Sequence, residues 1–247
     1  MSRCLFVCLL PLVGVTLSVA QSDSQALTLA SQSIAMLSGR LTISDVTLSG
    51  TVTRTAGSDT ETGAVTLYGK GQNESRTNLA LTGGERTEIR NYTTAPLGSW
   101  IAPNGKLTPF TEFNCLTDAV WFFPALSSLA FGNDPNQKLS YMGFETLNGS
   151  PVQHLRSVWF NQQLSRTDFY LDSTTLLPVA AATKVHPDND SSISIPVLIR
   201  FSNYQNVNGA LVPFHVQQSL NGSLLLDIAI DTATLNSGLT GDLFTIK

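Results

Sequence analysis

Charge is scarce in this chain of 247 residues: Asp, Glu, Lys and Arg together make up 13%, and the formal net charge is −4. The 14 basic residues form no run. That excludes nucleic acid as a partner, because holding phosphates requires clustered Lys and Arg. Cysteine is scarcer still, with three in the whole chain, and no pair has the spacing of a zinc clamp. GxSxG elbows, phosphate-binding glycine loops and HExxH pairs are all missing. Gly69-Lys70-Gly71 lacks the third glycine of a dinucleotide fingerprint and reads as part of a hairpin. No cofactor, no metal and no enzymatic activity are therefore expected. What the chain does have is apolar: 42% of it is hydrophobic and 8% aromatic, enough for a substantial core.

The N-terminus reads as an export signal. Arg3 precedes the apolar run Cys4–Val19, and Ser18-Val19-Ala20 puts small residues where signal peptidase needs them, so residues 1–20 are expected to be cleaved after Ala20. A membrane span is the weaker reading. The run falls short of the ~20 residues a bilayer requires, and polar QSDSQ follows it rather than basic residues. Cleavage would remove Cys4 and Cys8 and leave Cys115, which reads as a small buried residue at the start of a helix. Without an internal disulfide the fold must hold by core burial. The expected product is a periplasmic or secreted monomer with one domain, residues 21–247.

Residues 24–37 carry Leu27, Ala30, Ile34 and Leu37 at helical spacing, with Asp23 or Ser24 to cap the first turn and Gly39 to end the last. From residue 40 the period becomes two, and Val46, Leu48 and Val52 alternate with Ser and Thr. Strands are predicted near 62–70, 75–82 and 85–92, and, after a break, at 139–147, 151–162, 166–172, 177–186, 195–205, 209–220 and 223–232. Asn148-Gly149, Asn208-Gly209 and Asn221-Gly222 are hairpin signals, since both central residues of a type I′ turn need positive φ. Residues 93–112, with three prolines, read as a loop holding one short strand at most. Residues 115–130 read as a helix buried nearly all round, which Pro124 should kink or split in two.

Strands 211–216 and 223–230 are apolar on both faces, so something covers the second face. Two helices cannot blanket ten strands unless the sheet curls around them. The expected fold is α+β, mostly β: a strongly curved antiparallel sheet, an incomplete barrel, covered on its concave face by a few helices.

Polar residues offer little that looks catalytic. His154 and His215 fall in strands and read as hydrogen-bonded sheet histidines, and His186-Pro187-Asp188 as a turn. Asp227 and Asp231, and likewise Asp168 and Asp172, share strand faces at ~13 Å, too far for a glycosidase pair. Solvated surface carboxylates are the better account of them. The five Asn-x-Ser/Thr sites (Asn73, Asn91, Asn148, Asn189, Asn221) read as turn residues. Arginine is the exception. Arg86 and Arg90 share one face of a strand, and Arg156 and Arg200 sit inside apolar strands. Each reads either as a paired core guanidinium or as a polar group in a greasy cavity, set to meet a carbonyl, a phosphate or an acyl-linked headgroup.

The order of elements (helix, meander, Pro-broken apolar helix, second meander) resembles the bacterial outer-membrane lipoprotein carriers, the LolA/LolB-like or lipoprotein-sorting family. Phe169–Pro178 (FYLDSTTLLP) looks like that family's D-x-x-t-x-l-P strand pair, and Phe201–Pro213 (FSNYQNVNGALVP) like its y-x-x-v-n-G-x-x-x-P hairpin. The resemblance implies about eleven antiparallel strands, a helical lid over residues 115–130 and an apolar cavity that shields acyl chains. Trp121, Phe122, Phe123, Leu126 and Leu129 would line it, with Arg156 and Arg200 as polar contacts. The partner implied is a lipid or acylated protein, with transient contact to membrane components. The alternative is a structural or interaction β-domain whose core is filled by its own side chains.

Overall fold

In the computed structural model, which describes residues 22–110, 118–160, 165–187, 190 and 192–246, the first element is helix α1 (Ser24–Ser38). Asp23 caps it by accepting from the backbone N–H of Gln25 at 2.8 Å. Gly39 ends it at φ +60, with its N–H on the Ala35 carbonyl. The leader Met1–Ala20, residues 115–117 at the start of the second expected helix, with Cys115, and Asn189 lie outside the described residues.

Among the described residues, thirteen strands follow in one antiparallel sheet. The first meander comprises β1 (Asp45–Ala56), β2 (Asp59–Lys70), β3 (Glu74–Leu81), β4 (Gly84–Asn91), β5 (Gly98–Ile101) and β6 (Leu107–Pro109). The second comprises β7 (Gln137–Leu147), β8 (Ser150–Trp159), β9 (Ser165–Asp172), β10 (Pro178–Val185), β11 (Ile195–Val207), β12 (Ala210–Leu220) and β13 (Ser223–Leu235). In space the order is β6-β5-β4-β3-β2-β1-β13-β12-β11-β10-β9-β8-β7. The pairing of β1 with β13 therefore welds the two meanders together, and β6 and β7 are left as open edges.

Most strand boundaries follow the sequence pattern, and all three Asn-Gly turns hold both residues at positive φ, as type I′ geometry demands. Two expectations need correction. Residues 93–112 contain two short strands rather than one at most, held in place where Trp100 pairs with Thr108 and meets the Phe110 ring edge-on at 5.3 Å. Over 118–131 the chain forms a turn and two short 3-10 turns, Pro124–Leu126 and Ser128–Phe131, instead of an α-helix. Proline at the start of the first turn cannot supply an amide to a helix arriving from upstream, and Phe123 before it is extended.

The core fills the concave side. Val46, Leu48, Leu67, Leu155, Phe169 and Ile228 look inward and meet α1 and segment 118–131. Helix α1 is anchored at both ends: the Asp23 amide donates to the Leu139 carbonyl on β7 at 2.8 Å, and Gly39 abuts Gly209 in the β11–β12 turn. Gly69 lies under the 118–131 segment, where a Cβ would sit 2.5 Å from Val120. On the convex side, the C-terminal 3-10 turn Gly241–Phe244 buries Phe244 over β3 and β4. Tyr141 and Gly143 flank a bulge in the edge strand β7, with Gly143 at φ +126.

The weld between meanders has its own bulge, at Ser49/Gly50. A Cβ on Gly50 would run into the Ala229 carbonyl and come 2.8 Å from Ile230 Cα, both backbone atoms that cannot step aside. Gly50→Ala is expected to lower stability in urea unfolding by at least about 2 kcal/mol. At exposed Gly57, φ +64 with open space around it, the same change should cost only about 1 kcal/mol.

Candidate functional site

Two hollows share a wall on the concave face, and Asp118 and Trp121 of the 118–131 cover border the smaller one. The larger encloses about 430 Å³ between β3–β6 of one half and β10–β13 of the other. Its apolar wall includes Leu79, Trp100, Ile101, Val197, Leu225 and Leu226. The smaller, about 40 Å³, is bounded by Asp118, Trp121 and Ile199 among others, and Arg90, Val185, Val197 and Gln218 border both. Strand alternation puts these residues there: Leu79 and Leu81 on β3, and Val197 and Ile199 on β11, are every second residue and all buried.

Charged side chains stand in the same cross-strand ladder. Arg86 lies opposite Leu79 and Arg54 opposite Leu226, so each guanidinium is a direct neighbour of the greasy wall. Arg54 Nη1 donates to Glu61 Oε2 at 3.0 Å, and Arg86 Nη2 donates to both Glu61 oxygens at 3.1 and 3.0 Å. Burial pushes the Glu61 carboxyl up, but the hydrogen bond and charge of Arg86, helped by Arg54, outweigh it and hold the group below its ordinary range. Deeper in, Arg90 Nε donates to Glu88 Oε1 at 2.6 Å, with both side chains over nine-tenths buried. The Arg90 guanidinium also lies 5.4 Å from the centre of the Phe110 ring. Burial favours a neutral Arg90, yet the Glu88 charge prevails and its affinity for the proton rises.

Asp118 is the other notable carboxyl. Burial pushes it up to about 6, although the Ser128 amide donates to it at 2.8 Å and the Ser128 hydroxyl at 3.1 Å, and Arg90 adds a favourable charge.

Of the side chains singled out from sequence, Trp121 borders the smaller hollow, and its buried Nε1 finds no acceptor among the described residues. Phe122, Phe123, Leu126 and Leu129 are buried in the core and border neither hollow. Arg156 and Arg200 lie on the other face of the sheet. Arg200 alternates with buried Ile199 and Phe201 and pairs with Gln217. Arg156 Nε donates to Asp168 Oδ1 at 2.7 Å. Asp168 also takes Arg166 and His154, so it is a buried, shared acceptor and not the solvated carboxylate its sequence position suggested. Burial raises the Asp168 carboxyl, but Arg156, His154 and Arg166 together bring it below its ordinary value.

Both strand histidines are hydrogen-bonded, as read from the sequence. His215 Nε2 meets Asp227 Oδ1 at 2.6 Å and its Nδ1 meets the Ser202 hydroxyl at 3.1 Å. That row ties β11, β12 and β13 on the convex face, where neither hollow reaches it. Asn91 is buried at the end of β4, not in a turn.

Sequence reasoning marked Arg86 and Arg90 but missed Arg54, Glu61, Glu88, Trp100 and Leu225. The β1–β2 hairpin register places Arg54 opposite Glu61 and was readable from the turn AGSD. The meeting of β4 with β11–β13 across the hollow was not, because those strands are far apart in both sequence and sheet order.

The raised Asp118 carboxyl gives a pH signature. The folded state holds this proton more tightly than the unfolded chain, so its contribution is most favourable below pH ~4 and is lost as pH rises toward about 6. In urea unfolding across pH 3.5–7, the difference between the wild type and Asp118→Asn should change over that window and be flat above it. A difference independent of pH would show that the group is not perturbed.

No family model matches the sequence, and no curated protein does. Solved structures do match in fold. A Vibrio parahaemolyticus domain named for outer membrane lipoprotein sorting superposes with a TM-score of 0.58 at 13% identity, covering 89% of this chain and 96% of its own. A LolA superfamily protein from Nitrosomonas europaea gives 0.58 at 10% identity over 90% and 97%. A DUF1329 family protein from Desulfovibrio piger gives 0.57 at 12% over 91% and 98%. At such identities the likeness is one of architecture, and the architecture is that of the LolA-like fold: one open antiparallel sheet with a few helical segments across its hollow side.

Proposed function

We propose that this protein is an exported, non-enzymatic carrier or binder that takes the acyl or otherwise apolar part of a lipid or acylated protein into the concave hollow. The observation that carries the reading is the hollow of about 430 Å³, apolar along most of its wall, in a sheet that stays open. Ligand sites commonly measure about 300–1,000 Å³ and are lined in this way. Ten methylenes withdrawn from water contribute about 8 kcal/mol before ordering costs, so no catalytic group is needed for useful affinity. The leader-like residues 1–20 support a periplasmic or secreted location, and among the described residues no helix is long and apolar enough to cross a membrane. The fold shared with a lipoprotein-sorting domain agrees with the same role.

The neutral probe N-phenyl-1-naphthylamine should bind with enhanced fluorescence. Val197→Trp and Leu226→Trp, which fill the hollow from β11 and β13, should weaken that binding at least about tenfold while the protein stays folded. Unchanged affinity in both variants would move the ligand elsewhere.

One observation favours a second reading, an interaction domain with a filled core. Trp121, Phe122 and Phe123 are all but fully buried in the main core cluster. Trp121→Ala should then cost about 3–5 kcal/mol in thermal or urea unfolding. Under the carrier reading, bound lipid recovers part of that loss. If saturating lipid leaves the stability of both wild type and variant unchanged, the filled-core reading stands.

A further inference from the structure

Among the described residues around the larger hollow, positive charge exceeds negative. Arg90 is matched by Glu88 at 2.6 Å. Asp118 borders only the smaller hollow, where Arg90 is the charge beside it. Arg54 and Arg86, by contrast, share one carboxylate. Glu61 is the acceptor for all three of their side-chain bonds, through Arg54 Nη1 and Arg86 Nη2. Two guanidiniums against one carboxylate leave one positive charge over. Each guanidinium has five N–H donors, and buried Arg86 Nε meets no acceptor among the described residues.

An excess guanidinium charge with unmet donors, beside an oily wall, is costly unless something arrives to share it. Arg54 and Arg86 are partly open, with side-chain exposures of 25% and 29%, so an incoming group can reach them. Their cross-strand neighbours Leu226 and Leu79 belong to the apolar wall. A chain lying along that wall would bring its polar end to the two arginines.

We infer that the ligand is an anionic amphiphile, a single acyl chain ending in a carboxylate or phosphate, whose acid group is held jointly by Arg54 and Arg86 in competition with Glu61. Planar guanidinium forks suit both oxyanions, and hydrogen bonds between charged partners are the strong ones. This rests on the carrier reading above, and it adds a requirement for a negative headgroup.

Ligands of equal chain length separate the two claims. Palmitate, palmitoyl lysophosphatidic acid, methyl palmitate, hexadecanol and hexadecylamine would each displace N-phenyl-1-naphthylamine at pH 7.5. The two anions should bind at least about tenfold more tightly than the ester and alcohol, and the amine weakest. The tighter anion identifies the headgroup as carboxylate or phosphate. Arg86→Gln and Arg54→Gln should each bring the ratio of anion to hexadecanol affinity down toward one. Glu61→Gln, which frees both guanidiniums, should raise affinity for the anions severalfold, a gain that misfolding cannot imitate. Equal binding of palmitate and its methyl ester, or no gain with Glu61→Gln, would overturn the headgroup assignment and spare the carrier reading. Failure of every ligand to bind would remove both.

Discussion

Antiparallel pairing of β1 with β13 is the contact on which the rest depends. Among the described residues it is the only ladder that joins strands from opposite ends of the chain, and through it two meanders become one sheet. Each meander alone would leave much of its apolar face in water, which burial in the joined sheet avoids. Once welded, the sheet presents a single concave surface broad enough for α1 and the segment 118–131 to cover part of it. Gly50 makes the weld possible, because the bulge there brings two backbones closer than any side chain permits.

Coverage is partial, and that is where function becomes available. Helix α1 runs from β7 to the β11–β12 turn, and among the described residues no helix covers the hollow side of β3–β6. The segment 118–131 plugs the middle with Trp121, Phe122 and Phe123, which precede its two short 3-10 turns. What remains uncovered is bounded by leucine and valine on one side and by arginine paired with glutamate on the other. A wholly apolar hollow would favour any greasy molecule. Under the reading proposed above, one that includes Arg54 and Arg86 discriminates by the end of the ligand.

Much of this was legible in the sequence. Period-two alternation and the three Asn-Gly turns located most strands to within a few residues, because positive φ at consecutive positions has few other uses. The period of three and four in residues 24–37, with Asp23 before and Gly39 after, located α1. Doubly apolar strands gave the curvature. The failures share a cause. Residues 98–109 are rich in turn-formers, and what makes them strands is Trp100 packing on Phe110, a contact that composition does not reveal. The same holds for Arg156 and Arg200, whose facing depends on which parity the core selects. It holds again for the hollow, whose walls meet only after β1 and β13 have paired.

A half-barrel that never closes keeps two borders of unpaired backbone, at β6 and β7, and such borders invite other chains to add strands. Both are blunted. Strand β6 is three residues long and ends in Pro109, which has no amide to offer. Strand β7 is thrown out of register by the bulge beside Gly143. The sheet can thus remain permanently unsealed without its rims recruiting the edges of other chains.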